Sequence, residues 1–233
     1  MMKFSDFDAR GYRTVDVRTG YAQWVPTYEQ TVEDAMDIAL LEVLATPPWG
    51  DLPCAADLGC GTGRTGAWLH QKGVAIIDGV DLTPEMLDVA RAKKVYRRLA
   101  EADVAATGLE DTAYDLVTVC LVDEHVRELG SLYEEAWRLA KPGGYLVLVG
   151  YHPHFIMAAG MPTHFDSDSG EPVAIETYVH LLSEHALAAL AAGWHLAEMR
   201  ERVIDDAWLV LKPKWDRLRG NPIAFAFVWR KRD

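Results

Sequence analysis

The sequence has few cysteines, few basic residues for its number of acidic ones, and no long apolar run. Its three cysteines, Cys54, Cys60 and Cys120, show no C-x-x-C spacing, which excludes a disulfide framework and a zinc knuckle and favours a reducing, cytoplasmic setting. The 23 basic and 35 acidic residues give a net charge of −12, which disfavours a nucleic-acid partner because phosphate backbones require basic patches. No apolar segment approaches the thickness of a bilayer, so we expect a soluble protein without a membrane partner.

Glycine is concentrated in one stretch, at residues 55–64. Gly59, Gly61 and Gly63 alternate there, directly after a short apolar run that contains Asp57. Glycine permits the backbone angles of a sharp strand-to-helix turn, and it lets a ligand lie against bare main chain. The helix that follows adds unpaired N–H donors at its N-terminus. This stretch therefore predicts a site for a nucleotide-like ligand.

Apolar runs alternate with helical patterns along the first 150 residues. Helices are predicted at 65–72, from 83 onwards and at 129–139, and a tight turn is predicted at 141–144. The predicted strands lie at residues 53–58, 74–80, 98–102, 114–121 and 145–150. Strands that alternate with helices indicate a doubly wound parallel sheet with right-handed crossovers.

The two ends of the chain follow a different pattern. Residues 1–20 are polar and predict a lid or a loosely packed arm, and a helix is expected at 29–45. Residues 151–177 are too long for an ordinary connection and predict a functional loop with some local structure. The remaining expectations are a helix at 181–192, strands at 194–203 and 223–229, and an aromatic-rich excursion at 207–219.

The glycine stretch permits two interpretations, which differ in the nucleotide-like ligand that it would bind. Residues 61–66 satisfy the dinucleotide pattern G-x-G-x-x-G, which suits an NAD(P)-dependent oxidoreductase. Against this reading, Asp57 stands where a dehydrogenase strand is normally apolar. Acidic residues, Asp81 and Asp103, also end both the second and the third predicted strands. Two acidic strand ends suit a ligand that offers ribose hydroxyls and an exocyclic adenine amine.

These motifs together resemble the class I S-adenosylmethionine (SAM)-dependent methyltransferases. The run Asp57-Leu58-Gly59-Cys60-Gly61-Thr62-Gly63 is similar to the glycine-rich first motif of that family, and residues 139–144 are similar to its turn before the fifth strand. The resemblance implies SAM as cofactor. It also implies an α/β fold: a doubly wound, Rossmann-like, seven-stranded sheet with an antiparallel C-terminal strand and helices on both faces.

The resemblance assigns the cofactor site residue by residue. Asp81 would take both ribose hydroxyls, Asp103 the adenine amine, and Asp57 the ligand's ammonium, directly or through water. Taken singly, each of these carboxylates also suits a helix cap. The complete predicted set is Tyr21, Asp57, Gly59, Gly61, Gly63, Asp81, Leu82, Asp103, Val104 and Cys120.

Catalytic candidates follow the fourth and fifth predicted strands. His125 has the ordinary pKa of a general base but also suits a cap of the next helix. His152 and His154 form an H-x-H pair that suits pocket lining better than a metal, and we predict no metal site. Aromatic side chains are expected to cover the acceptor, although they also suit a core: Trp24, Tyr28, Phe155, Phe165 and Trp208.

The sequence therefore predicts a single methyltransferase domain over residues 1–233. Residues 1–50 would form an arm or helical lid, and residues 151–180 an insertion loop over the acceptor pocket. The expected reaction moves a methyl group from SAM to a small molecule by in-line displacement. An NAD(P)-dependent oxidoreductase and a non-catalytic SAM-binding module remain the alternatives, and the acceptor, the methylated atom and the oligomeric state stay open.

Overall fold

Between residues 54 and 151, strands and helices follow the predicted order. A computed structural model describes residues 2–32 and 36–232. In chain order the strands are β1 (Met2–Lys3), β2 (Arg13–Val15), β3 (Cys54–Leu58), β4 (Ile76–Asp81), β5 (Arg98–Glu101), β6 (Tyr114–Cys120), β7 (Ala140–Tyr151), β8 (His164–Asp166), β9 (Pro172–Ile175), β10 (Tyr178–Val179), β11 (His195–Val203) and β12 (Pro222–Arg230). The helices are α1 (Val17–Thr31), α2 (Met36–Leu41), α3 (Arg64–Gln71), α4 (Pro84–Ala92), α5 (Leu129–Leu139), α6 (Pro153–Ala159), α7 (Leu182–Ala191) and α8 (Asp206–Leu211).

The central sheet has seven strands in the order β11-β12-β7-β6-β3-β4-β5. Strands β3 to β7 run parallel, and β12 pairs antiparallel with both β7 and β11. The predicted doubly wound sheet with an antiparallel C-terminal strand is therefore confirmed. The strand order reverses between β3 and β6, and such a switch point opens a crevice at the carboxyl ends of the strands.

Two cores cover the two faces of this sheet, as the continuous apolar strands require. On β7, Val147 and Val149 pack with residues of α2, α3, α6 and α8. Leu146 and Leu148 point to the other face and pack with residues of α5 and α7. Burying each such side chain contributes roughly 1.5–3 kcal/mol, so the two faces together hold the strand ends in register.

The N-terminal region is more ordered than the polar sequence predicts. Helix α1 begins at Val17 because the Asp16 side chain accepts a hydrogen bond from the Thr19 N–H, so the predicted start near residue 29 is wrong. The predicted helix at 29–45 corresponds to the end of α1 and to α2, and its residues 33–35 lie outside the described residues. Strand β2 pairs with β9, which ties the predicted arm to the region after the fifth sheet strand.

The long segment after β7 is a small substructure rather than a loop. It contains α6 and the strands β8 and β9, which pair antiparallel with each other. The predicted turn at 141–144 lies inside β7, where it forms a bulge between the pairs Tyr114–Ala140 and Leu116–Tyr145. Within residues 2–32 and 36–232, no helix combines the length and apolar character that crossing a bilayer requires.

Close packing of α3 predicts opposite effects for two glycine-to-alanine substitutions in helices. A Cβ at Gly66 would overlap the Tyr96 ring and hydroxyl, whereas a Cβ at Gly130 in α5 would meet no atom within 4 Å. We expect Gly66→Ala to lower the free energy of unfolding by about 1–3 kcal/mol, because the anchored ring has nowhere to move. Gly130→Ala should leave it unchanged or raise it by about 0.5 kcal/mol. Urea unfolding measures the free energy of unfolding of both variants. Equal values would contradict the close packing of Gly66 against Tyr96.

Candidate functional site

The glycine turn adopts the conformation that its sequence requires. Gly59, Gly61 and Gly63 have φ values of 67°, 53° and 86°, in the left-handed region that side chains disfavour. A Cβ at Gly59 would also overlap the Val122 side chain, whereas a Cβ at Gly61 would meet nothing within 4 Å. The turn therefore presents bare backbone to open space at Gly61.

Two carboxylates at the ends of neighbouring strands lie at the same edge of the sheet as this turn, and one of them contacts it. Asp81 accepts hydrogen bonds from the Gly61 N–H (2.8 Å) and the Thr83 N–H (2.9 Å), and burial raises the pKa of its carboxyl. Asp103 accepts from the Ala105 N–H at 2.8 Å. Both side chains lie at the carboxyl edge of the sheet, where doubly wound folds bind ligands.

A cavity of about 420 Å³, which we call the glycine-turn cavity, joins these elements. It contains eight of the ten residues predicted to bind the cofactor, and Asp57 and Gly63 are the two outside it. Tyr28, which was predicted to contact the acceptor, also lines this cavity. The lining residues that carry the argument are Tyr21, Tyr28, Gly59, Gly61, Asp81, Leu82, Asp103, Val104, Cys120 and His125.

Asp57 lies beneath the turn rather than in the cavity. Its carboxylate accepts hydrogen bonds from the Tyr96 hydroxyl (2.7 Å) and the Thr118 hydroxyl (2.8 Å). Burial raises its pKa to about 6 even though both hydrogen bonds favour the ionised form. Gly63 likewise faces Tyr96 and Ala90. The position of Asp57 does not fit a direct contact with a ligand ammonium, so Asp57 holds the turn, and the contact through water stays a prediction.

One wall of the glycine-turn cavity is a hydrogen-bonded pair, Tyr21 and His125. The His125 Nδ1–H donates to the Glu176 carbonyl (2.7 Å), so Nε2 is the acceptor for the Tyr21 hydroxyl at 2.9 Å. Burial lowers the pKa of His125, which keeps the imidazole neutral. A neutral ring with a basic nitrogen towards the cavity can take a proton from a group that replaces the Tyr21 hydroxyl.

A second cavity of about 300 Å³, the aromatic cavity, lies on the other side of this wall. Trp24 stacks on Phe165 with ring centroids 5.8 Å apart, and Phe155 stacks on Trp215 at 5.0 Å. All four rings line the cavity. Trp24 also stacks on Tyr21 at 5.9 Å, so one layer of side chains separates the two cavities.

Glu124 is the buried acid of the aromatic cavity. It accepts a hydrogen bond from the Thr163 hydroxyl (2.7 Å), and its Oε1 lies 3.4 Å from His125 Nε2. Burial raises the pKa of Glu124 to about 8. The sequence stretch around His125 contained this residue, but nothing in the local pattern showed that Glu124 rather than His125 turns towards this cavity.

Three predicted site residues are corrected by their positions. His152 lies within 2.9 Å of Glu201 and caps α6 through the His154 N–H, and His154 lies 3.1 Å from Asn221 Oδ1. The described structure places both histidines outside the two cavities, so they are not catalytic candidates. Trp208 is fully buried and packs with Trp215 in the core of one sheet face. Among the described residues, no cluster of three His, Cys, Asp or Glu side chains suits a metal ion.

The fold and this site define a class of protein: a doubly wound α/β domain with a cavity at its switch point. A family model described as methyltransferase domain matches residues 56–148. The crystal structure of an S-adenosylmethionine dependent methyltransferase from Mesorhizobium loti superposes with a TM-score of 0.64, at 24% identity, over 83% of this chain and 96% of that one. Residues 56–148 are therefore similar to a methyltransferase domain, and the fold of the chain is that of a solved SAM-dependent methyltransferase.

Two curated relatives match shorter stretches. The malonyl-[acyl-carrier protein] O-methyltransferase of Serratia marcescens is 32% identical over 91 residues, which cover 39% of this chain and 35% of that protein. The trans-aconitate 2-methyltransferase of Methylobacterium radiotolerans is 33% identical over 128 residues, which cover 54% and 49%. The chain therefore spans about a third to a half of the length of these relatives.

The residues of the glycine-turn cavity fit SAM, the cofactor that the family implies. The open face of Gly61 leaves room against bare backbone, and two strand-end carboxylates offer acceptors for hydroxyl and amine donors. The sequence pattern alone did not identify two supporting residues, Tyr96 and Thr118. Their partner, Asp57, is 39 and 61 residues away along the chain.

A methyl group on Gly61 should block the cofactor. We expect Gly61→Ala to weaken binding of S-adenosylhomocysteine at least about tenfold in calorimetry, because its Cβ would project into the cavity. Gly108 is the matched control, since it also has a positive φ and open space but lies away from both cavities. Gly108→Ala should share the conformational cost of about 1 kcal/mol and bind normally. Equal affinities for the two variants would contradict the assigned cavity.

Glu124 should make stability depend on pH. The pKa of Glu124 is about 8 in the folded protein against an ordinary value of 4.5, so the folded protein favours the protonated form. The stability that this preference contributes is lost as the pH rises towards 8. We expect the stability of Glu124→Gln relative to the unsubstituted protein to increase between about pH 5 and pH 8, measured by urea unfolding. The exposed Glu134→Gln should show a constant difference. If the difference in free energy of unfolding between Glu124→Gln and the unsubstituted protein did not change with pH, the raised pKa of Glu124 would be contradicted.

Proposed function

We propose that this protein transfers a methyl group from SAM to a small-molecule acceptor. The single observation that carries the proposal is the glycine-turn cavity, in which the bare backbone of Gly61 faces the carboxylates of Asp81 and Asp103. The match to the methyltransferase domain over residues 56–148 supports it. SAM supplies a methyl group activated on a sulfonium, so the protein's task is to position the acceptor and exclude water.

In this proposal Asp81 binds the ribose hydroxyls and Asp103 binds the adenine amine. Asp81 already accepts two backbone N–H hydrogen bonds, which orient its oxygens at the cavity edge. The adjacent side chains of Leu82 and Val104 would flank the base, and Cys120 and Tyr21 would close the cavity around the remainder of the ligand. Asp57 acts indirectly, because its hydrogen bonds to Tyr96 and Thr118 fix the strand that leads into the turn.

The acceptor would occupy the aromatic cavity and reach the cofactor through the Tyr21–His125 wall. Trp24 and Tyr21 come from α1, and Phe155 and Phe165 come from the segment after β7, which supports residues 1–50 and 151–180 as the cover of the acceptor site. When an acceptor hydroxyl or amine replaces the Tyr21 hydroxyl at His125 Nε2, the neutral imidazole can accept its proton.

The alternatives predicted from the sequence receive less support. In a dinucleotide fingerprint the third glycine allows close packing of helix and strand, and Gly66 does pack closely, but against Tyr96. The match to a methyltransferase domain does not favour an oxidoreductase. A non-catalytic SAM-binding module would share the glycine-turn cavity and differ only in turnover. The cytoplasmic setting and the lack of a nucleic-acid partner remain predictions from the cysteine content and the acidic charge.

Calorimetry with S-adenosylhomocysteine tests the proposal. We expect the unsubstituted protein to bind it and Asp81→Ala to bind at least about tenfold more weakly, because each lost hydrogen bond to a charged group contributes about 1.5–3 kcal/mol. Asp88→Ala, on the exposed face of α4, removes the same charge and should bind normally.

Two outcomes would overturn the assignment. Binding of NADH in place of S-adenosylhomocysteine would favour the oxidoreductase. Binding of S-adenosylhomocysteine without any conversion of SAM across a panel of phenols, amines and carboxylic acids would favour the non-catalytic module.

A further inference from the structure

A buried carboxyl group with one unpartnered oxygen borders the aromatic cavity. Glu124 lines this cavity although only 3% of the residue is exposed. Its Oε1 accepts the hydrogen bond from the Thr163 hydroxyl, whereas its Oε2 has no hydrogen-bond partner among the described residues. Oε2 is not completely enclosed by protein, so it borders the open space that Glu124 lines. The cavity therefore presents a carboxyl oxygen that a ligand can reach.

No cation in the described part of the chain neutralises this carboxyl group. His125 Nε2 lies 3.4 Å from Glu124 Oε1, but burial lowers the pKa of His125 and keeps its imidazole neutral. Burial and the negative charge of Asp123 together raise the pKa of Glu124 to about 8. Buried charges are normally paired, so the site lacks the cation that would stabilise the ionised form of Glu124.

The other titratable groups around the cavity do not supply that cation. Burial raises the pKa of Tyr21, which leaves its hydroxyl protonated and neutral. Lys212 already has an interaction partner. Lys214 and Asp166 are both exposed and carry opposite charges. The described lining therefore has no net positive charge to set against an ionised Glu124, and a cationic ligand would provide it.

Aromatic rings surround this carboxyl group. Two stacked pairs line the cavity, Trp24 with Phe165 and Phe155 with Trp215. Trp24 also stacks on Tyr21, whose hydroxyl lies 2.9 Å from the same His125 nitrogen that adjoins Glu124. Ring faces attract cations and also bury apolar surface. Aromatic walls and an unpaired carboxyl group in one cavity favour a protonated amine on an apolar body.

The charge of the whole chain favours the same ligand class. A net charge of −12 attracts cations to the protein at long range and repels anions. Salt screens this attraction beyond about 8 Å at physiological ionic strength, so a partner is also needed at short range. The Glu124 carboxyl group can act as that partner once it is ionised.

We propose that the aromatic cavity binds an alkylamine with an aromatic ring, in its ammonium form, with the nitrogen at Glu124 Oε2 and the ring against the aromatic pairs. The binding site stands independently, whereas the identification of the amine as the methyl acceptor rests on the proposed function. Glu124 adjoins the Tyr21–His125 wall, so the nitrogen would lie on the side of the glycine-turn cavity. There the ammonium can pass one proton to the Glu124 carboxylate, which leaves a neutral amine with its lone pair and a neutral carboxylic acid.

Calorimetry with two matched probes tests this inference on the full chain. The probes are 2-phenylethylamine and 2-phenylethanol, which share the ring and the chain and differ in charge. We expect the amine to bind at least about tenfold more tightly than the alcohol at about pH 8, because it forms a charge-assisted hydrogen bond.

The same titrations as a function of pH report on the carboxyl group. Glu124 is mostly protonated below pH 8 and must release its proton to pair with the ammonium, which itself stays charged because alkylamines titrate near 10.4. From about pH 6 to about pH 7.5 the affinity for the amine should rise about tenfold per pH unit, and the affinity for the alcohol should not change.

Substitutions locate the site. Glu124→Gln should weaken the amine at least about tenfold at pH 8, remove its pH dependence and leave the alcohol within about twofold. Asp166→Asn removes a charge from an exposed part of the same cavity and should weaken the amine at most about threefold. Glu171→Gln removes an exposed charge outside the cavity lining and should change neither probe. Trp215→Leu should weaken both probes, because both contact its ring.

The outcomes separate this inference from the proposed function. Equal affinities for amine and alcohol at pH 8, no binding of either probe, or pH-independent binding of the amine would overturn it. An effect of Glu124→Gln no larger than that of Asp166→Asn would also overturn it. S-adenosylhomocysteine titrated into the same samples reports on the glycine-turn cavity alone. Its binding without the amine overturns only the amine site, and binding of the amine without it overturns only the methyltransferase assignment.

Discussion

The site depends on the Tyr96 ring, which fills space that three glycines leave empty. A side chain at Gly63, Gly66 or Gly79 would contact this ring at or below van der Waals distance, so the turn, α3 and β4 can approach one another only with glycine at all three positions. The Tyr96 hydroxyl then reaches the buried Asp57 carboxylate, whose second oxygen accepts from Thr118 on β6. Leaving a buried charge unpaired costs several kcal/mol, so this network fixes the strand that precedes the turn.

Helix α1 divides the candidate site into two compartments. Tyr21, Trp24 and Tyr28 recur at intervals of three and four residues, which places them on one helical face. Tyr21 and Tyr28 face the glycine-turn cavity and Trp24 faces the aromatic cavity, so a single helix lines both. The Tyr21–His125 hydrogen bond therefore lies in the layer of side chains between the two cavities.

The family model matches mainly one of these compartments. The matched residues, 56–148, contain the glycine turn and both strand-end carboxylates. The aromatic cavity takes Glu124 from that region, and its other lining residues lie before residue 33 or after residue 150. The residues proposed to bind the cofactor thus lie mostly within the matched range, and the residues proposed to contact the acceptor lie mostly outside it.

The sequence by itself determined the order of strands and helices between residues 54 and 151, the glycine turn and the acidic strand ends, because each follows from local periodicity or local backbone geometry. It also identified half of the residues that line the glycine-turn cavity, since parallel strands must bring their carboxyl ends to one edge. Only the tertiary structure decided that His152 and His154 face Glu201 and Asn221, that Trp208 is core, and that Glu124 enters the aromatic cavity. The direction of a side chain depends on partners far away along the chain, and no local pattern encodes them.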